Sequence, residues 1–176
     1  AMYPQGGEKV LIYHVTGEKV PEGKLPLDVG AVVLNCTTIS SIARYCRTGL
    51  PLVKKCVTVD GSAVKNPMNV LAPIGTRMKE ACGGFKEEPK MVLYGGPMMG
   101  IAVPDLEQPI LKNTNAILAF GEAEATPPEP TACIKCGKCI AHCPLSLMPC
   151  EMETAYKKGN IERLMHLKVN LCMECG

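Results

Sequence analysis

Apolar and polar positions change period several times along the chain, and each change marks an element. Residues 6–13, Gly6-Gly-Glu-Lys-Val-Leu-Ile-Tyr13, read as a glycine turn that leads into a short helix. Gly17, Pro21, Gly23 and Pro26 make residues 17–28 a loop. Val29-Gly-Ala-Val-Val-Leu34 is continuously apolar and predicts a buried strand. A helix over about 38–47 follows, with Thr38 as candidate cap, Ile39, Ile42, Ala43 and Cys46 on its apolar face, and Gly49 as its end. From residue 51 the pattern becomes strand-like. Residues 52–59 predict a strand stopped by Asp60-Gly61, and residues 69–74 predict a second. A helix from Gly75-Thr76 to Cys82 closes at Gly83-Gly84. Met91–Tyr94 predicts a third strand and Gly95–Gly100 a tight loop, with further strand candidates at 109–111 and 116–120. Strand, strand, helix and strand in this order predict a small α+β module of β-grasp type.

The last quarter of the chain changes character again. Residues 122–130 hold three prolines and three glutamates but no large apolar side chain, which marks a linker. Pro149 suits the first position of a helix over about 149–157, and Gly159-Asn160 breaks it. A second helix over about 160–169 carries Ile161, Leu164, Met165 and Val169 at helical spacing. Packing of this segment is expected through Leu147, Met152, Ile161, Leu164 and Leu167.

Composition narrows the picture. The chain has 176 residues, 47% of them hydrophobic but only 4% aromatic, with no Trp and ten Met. The core is therefore expected to be aliphatic and Met-rich. A net charge of +2 argues against nucleic acid as a partner. No apolar run approaches the roughly 18 residues of a membrane span. No signal peptide is visible, and Ala1-Met2 reads as a start codon behind a vector residue. Eleven cysteines would suggest disulfides in a secreted protein. Six of them fall in spaced motifs, so a reducing cytoplasm fits better. The other five, Cys36, Cys46, Cys56, Cys82 and Cys150, are expected to be buried small hydrophobes.

Those motifs carry the chemistry. Cys133-Ile-Lys-Cys136-Gly-Lys-Cys139-Ile-Ala-His-Cys143-Pro144 has the spacing of bacterial ferredoxin [4Fe–4S] runs. Two-residue gaps let Cys133, Cys136 and Cys139 present thiolates from one tight loop, and Gly137 relieves crowding near the cluster. Pro144 turns the chain away, so that Cys143 serves a second cluster. Cys172-Met-Glu-Cys175-Gly176 repeats the opening of the first motif. Each cluster thus has three of four thiolates: Cys133, Cys136 and Cys139 for one, Cys143, Cys172 and Cys175 for the other. The chain reads as a piece of a longer two-cluster protein, and this piece alone is expected to be metal-free or partly loaded. A structural zinc site in an adaptor protein, or a disulfide pair, is the alternative; zinc sites usually show two separated Cys-x-x-Cys pairs.

Other residues have plainer readings. His142 beside Cys143 reads as a solvent-facing residue, with tuning of the cluster as its alternative. His14 and His166 have no partners at ligand spacing. Lys135, Lys138, Lys157 and Lys158 form a solvated basic rim that would also suit an acidic electron-transfer partner. No Ser/His/Asp or paired-carboxylate constellation offers a catalytic site.

Four stretches in order, Tyr3–Lys9, Leu25–Gly30, Gly95–Gly100 and the Cys133 run, resemble the C subunit of the Rnf complex, an ion-translocating ferredoxin:NAD oxidoreductase of bacterial membranes. That family is similar in turn to the flavin subunit of respiratory complex I. The resemblance implies an α+β chain in four parts: residues 1–50 as the end of a flavin-type α/β domain, 51–121 as a soluble-ligand-binding β-grasp module, 122–130 as linker, and 131–176 as a truncated helical two-cluster ferredoxin domain. The β-grasp module is expected to be a spacer without a ligand of its own. Gly7, Glu8, Lys9 and Asn35 stand where the family's FMN and NADH segments fall, with Lys9, Leu34 and Thr37 departing from its pattern.

Function follows from the same resemblance. Two [4Fe–4S] clusters and an FMN bound upstream of residue 1 would relay electrons between NAD(H), ferredoxin and the membrane subunits. The chain would lie peripherally on the cytoplasmic side of the inner membrane, with no transmembrane segment of its own. Alone it would be inactive. Soluble relatives with the same modules, a corrinoid reductase or a proline-reductase-associated electron carrier, are the alternative.

Overall fold

A computed structural model describes residues 6–175. The start at Ala1-Met2, the Tyr3–Gln5 part of the first resemblance stretch, and Gly176 lie outside the described residues. The described residues form two compact units, residues 34–129 and residues 6–33 with 130–175.

The first unit is built on a five-stranded mixed sheet. Its strands are β1 (Lys54–Asp60), β2 (Met68–Pro73), β3 (Met91–Tyr94), β4 (Ile101–Ala102) and β5 (Ala116–Phe120), in spatial order β2-β1-β5-β3-β4. β1 and β2 are an antiparallel pair with Cys56 opposite Leu71. β5 runs parallel to β1, Thr58 beside Ala116, and antiparallel to β3. First and last strands lying parallel at the centre is the β-grasp arrangement that the pattern predicted. Alternation along β1 explains its register: Val57 and Val59 are fully buried while Cys56 and Thr58 face outward. Helix α3 (Met78–Cys82) lays Met78, Ala81 and Cys82 into the same core as Ile110, Ile117 and Ala119. The core is aliphatic, with Met78 the largest of its fully buried side chains. Residues 109–111 form no strand, only an isolated bridge from Arg77 to Pro109, although Ile110 is fully buried there. Thr114 is buried too, and its hydroxyl accepts a 2.8 Å hydrogen bond from the Leu111 amide.

Helix α2 (Cys36–Thr48) belongs to this unit. Its cap is Asn35, not Thr38: the Asn35 Oδ1 accepts from the Thr37 amide at 2.9 Å. The asparagine amide oxygen reaches the free backbone amide two residues on, and the helix starts earlier than its apolar face suggested. That face buries nothing: Ile39, Ile42 and Tyr45 are about half exposed. The expected strand at 29–34 is absent. Pro26–Val29 form a 3-10 turn, Gly30 is left-handed, and Val32 and Leu34 are exposed. A continuously apolar run becomes a strand only between two neighbouring strands, and this run has none among the described residues.

The other unit is helical. Helix α1 (Glu8–Thr16) follows the Gly7 turn and ends at left-handed Gly17. Residues 122–130, read as linker, open with one short helical turn, α4 (Glu122–Ala125), and continue as irregular chain from unit to unit. Three short helices carry the cysteine segment: α5 (Lys138–His142), α6 (Pro149–Lys157) and α7 (Ile161–His166). Pro149 opens α6 as expected, and Asn160 caps α7 by accepting from the Arg163 amide at 2.8 Å. α7 stops well short of residue 169; left-handed Lys168 leads into a 3-10 turn at Val169–Leu171. Leu147, Met152, Ala155 and Leu164 form a small buried core, with Leu167, Val169 and Leu171 against it. Ile161, expected in that core, is the first residue of α7 and is exposed.

Candidate cysteine-lined cofactor site

Cys133 and Cys136 sit on the irregular loop that enters α5, and Cys139 is the second residue of that helix. All three are exposed. The loop turns by two successive departures from ordinary backbone: Lys135 at φ 54° and Gly137 at φ 76°. Left-handed conformation is natural for glycine but uncommon for lysine. It aims the Lys135 amide back at the Cys133 sulfur, 3.4 Å away. An amide donor toward a sulfur is the contact that supports a thiolate there.

The second motif repeats the feature. Glu174 holds the place in Cys172-x-x-Cys175 that Lys135 holds in Cys133-x-x-Cys136, and its φ is 50°. Neither residue type favours that conformation, so the repetition comes from the motif rather than the side chain. Cys143 has its own donor: the Leu147 amide lies 3.3 Å from its sulfur. Cys143 also packs on the small core of α6 and α7, and the 3-10 turn packed on that core leads directly into Cys172. The helices therefore bring Cys143 and the second motif to one core.

The donor set suits an iron–sulfur cluster: thiols on turned loops, with amides directed at the sulfurs. Among the described residues, no three His, Cys, Asp or Glu side chains are gathered as the ligands of a metal ion, the cysteines of the two motifs included. His142 is exposed and donates from Nδ1 to the Lys138 carbonyl at 2.9 Å, in keeping with a solvent-facing role. Lys157 of the basic rim pairs with Glu153 at 2.6 Å, an exposed i,i+4 pair.

One cysteine at this site stood outside the motifs. Cys150, the second residue of α6, is half-buried. Desolvation, then the nearby Cys139 and Cys133, push the Cys150 thiol up, against an opposing hydrogen bond from the Glu151 backbone. Its signal in the sequence was position, on the first turn of a helix predicted directly behind the motif. Among the five extra cysteines only Cys82 is fully buried. Cys36 and Cys46 lie on α2, whose apolar face buries nothing, and Cys56 is on the outward face of β1.

The remaining sequence-predicted positions are occupied by helix starts. Gly7 precedes α1 and accepts from the Leu11 amide at 2.8 Å, with Glu8 and Lys9 in the first turn. Asn35 spends its side chain on the α2 cap, accepting from both the Thr37 amide and hydroxyl. Gly7, Glu8 and Lys9 belong to one unit and Asn35 to the other. The β-grasp unit also has a basic groove of about 220 Å³ between α2 and β1 that the pattern did not foretell. Arg44, Lys54, Lys55 and Lys112 line it with no carboxylate, and desolvation lowers the Lys55 pKa. Among the described residues, no helix is long and apolar enough to cross a membrane.

Residues 1–44 match the family described as the Nuo51 FMN-binding domain, and residues 56–102 match the SLBB domain. The chain is 46% identical over 150 residues to the C subunit of the proton-translocating ferredoxin:NAD(+) oxidoreductase complex of Clostridium ljungdahlii, covering 84% of this chain and 33% of that protein. It is 45% identical over 150 residues to the Na(+)-translocating counterpart of Acetobacterium woodii, covering 84% of this chain and 34% of the relative. Against the C subunit of the ion-translocating oxidoreductase complex of Rhodobacter capsulatus, identity is 40% over 163 residues, 91% of this chain and 31% of the relative. The chain belongs to the family of Rnf complex C subunits, and it spans about a third of the length of these curated relatives.

Proposed function

We propose that this chain is the electron-relay portion of a C subunit in an ion-translocating ferredoxin:NAD oxidoreductase. Cys133, Cys136 and Cys139 hold one [4Fe–4S] cluster, and Cys143, Cys172 and Cys175 hold a second. The observation that carries this reading is the repeated left-handed residue, Lys135 and Glu174, at the same place in both Cys-x-x-Cys loops. When bound, a flavin splits a hydride into single electrons and such clusters pass them on one at a time. The chain's own part is to hold thiolates. Loop amides at Lys135 and Leu147 donate toward Cys133 and Cys143, and the α6/α7 core fixes Cys143 against the approach to Cys172. The fourth thiolate of each cluster comes from elsewhere in the longer protein. FMN and NAD(H) bind mainly outside residues 1–176, with Gly7, Glu8, Lys9 and Asn35 at the margin of that site. Other subunits of the complex are the partners, on the cytoplasmic face of the membrane.

The test is a full-length protein reconstituted with FMN and clusters. Cys136→Ser is expected to stop electron delivery to the next carrier and leave flavin reduction by NADH intact. A mutant whose flavin no longer reduced would contradict the relay. The chain of 176 residues alone is expected to show no NADH dehydrogenase activity.

A further inference from the structure

We propose that the groove between α2 and β1 is an anion site that binds the diphosphate group of a small molecule, held by Arg44, Lys54, Lys55 and Lys112. Such a site lies wholly in the β-grasp unit and is independent of the cluster assignment.

The local fold brings these cations together. Thr37, Ser40, Ser41 and Arg44 stand at helical spacing and give α2 one polar face. That face lines the groove with β1, while Ile39, Ile42 and Tyr45 of the apolar face are exposed. Lys54 and Lys55 open β1. Lys112 lies on the loop before β5, and the parallel pairing of β1 with β5 sets that loop beside the start of β1. The Lys55 ammonium donates to the Lys112 carbonyl, which ties the two segments and leaves further N–H donors on the same nitrogen.

Residues 29–59 contain Arg44, Arg47, Lys54 and Lys55 and no Asp or Glu. Elsewhere in the unit, Arg77 and Lys79 share Glu107. Among the described residues, none of the four groove cations has a carboxylate partner. Like charges held close repel one another, and Lys55, half-buried, also loses hydration. A bound anion relieves both. The lining selects which anion. A carboxylate offsets one of four positive charges, whereas a diphosphate carries roughly three negative charges near neutral pH. The Arg44 fork suits phosphate oxygens, and Thr38 and Ser40 add hydroxyl donors to the lining. A volume of about 220 Å³ is below the roughly 300–1,000 Å³ of a pocket that encloses a drug-sized ligand, so the groove takes the charged end of a larger molecule. Among the described residues, no aromatic side chain lines it to stack a base or a flavin ring. Recognition is therefore of the phosphates alone, and inorganic pyrophosphate is a sufficient probe.

The experiment is isothermal titration calorimetry of inorganic pyrophosphate, without divalent cations, into the natural full-length protein carrying its FMN and clusters. The parent is expected to bind, less tightly as salt is raised. Arg44→Gln and Lys54→Gln are each expected to weaken binding about tenfold. Lys65→Gln, at an exposed cation of the same unit outside the groove, is expected to leave it unchanged. Adenosine diphosphate is expected to bind as pyrophosphate does. No binding by the parent at about 1 mM pyrophosphate overturns the site. Undiminished binding in both groove variants, or an equal loss in Lys65→Gln, overturns it as well, as does binding of adenosine diphosphate without binding of pyrophosphate. Binding that appears only after FMN is removed would make the groove part of the flavin site and also overturns it. Flavin reduction by NADH and the cluster EPR signals are expected to be unchanged in Arg44→Gln and Lys54→Gln, so failure of this site leaves the relay standing, and failure of the relay leaves this site standing.

Discussion

Lys135 and Glu174 show most directly how single residues shape the site. Both take a left-handed backbone that ordinarily costs of the order of 1 kcal/mol or more for a residue with a Cβ. At Lys135 the return is an amide aimed at Cys133. Lys135→Pro removes that amide and forbids positive φ. It is expected to lower iron bound at the first cluster, whereas Lys135→Gly keeps it; iron analysis of the two variants checks this. Gly61 meets a harder limit. Its φ is 116°, and a Cβ there would lie 2.1 Å from the Ala119 carbonyl oxygen. Gly61→Ala is expected to cost more than about 3 kcal/mol, read as a lower urea midpoint. Cys82 gives the β-grasp unit a pH dependence. Burial pushes its thiol from 9.0 to about 11, so the fold prefers the neutral form. This stabilisation is complete below pH 9 and is lost as pH rises through about 11, an effect of the order of 2 kcal/mol. Cys82→Ala is expected to flatten the fall in unfolding free energy over that interval.

At the scale of elements, legibility depended on what sets each boundary. β1, β2, β3 and α6 stand within about two residues of their predicted positions, because alternation, Asp60-Gly61 and Pro149 are local signals. Val29–Leu34 misled because hydrophobicity alone does not supply a neighbouring strand. α5 was missed because its start is left-handed Gly137 inside the cysteine loop, where the spacing of the cysteines masks any helical period. The motifs themselves were plain in the sequence, but the packing of the helices that carry them was not. α5 packs against α6, a tertiary fact. The α6/α7 core is small, and Leu164 is one of its four buried residues. Leu164→Ala is expected to cost about 2–4 kcal/mol in that unit, seen as an earlier loss of helical circular dichroism with the sheet unit little affected.

For the whole molecule, the central claim is that one chain carries the margin of a flavin domain, a β-grasp unit and a pair of cluster loops. The relatives, about three times as long, are subunits of oxidoreductase complexes. The measurement that tests this most directly is EPR of the reduced full-length protein beside its Cys143→Ser variant, with iron and sulfide determined on both. The account predicts two [4Fe–4S] signals in the parent, and in the variant a disturbed second cluster with the first intact. Bound zinc in place of iron and sulfide, or loss of only the first cluster in Cys143→Ser, would contradict it.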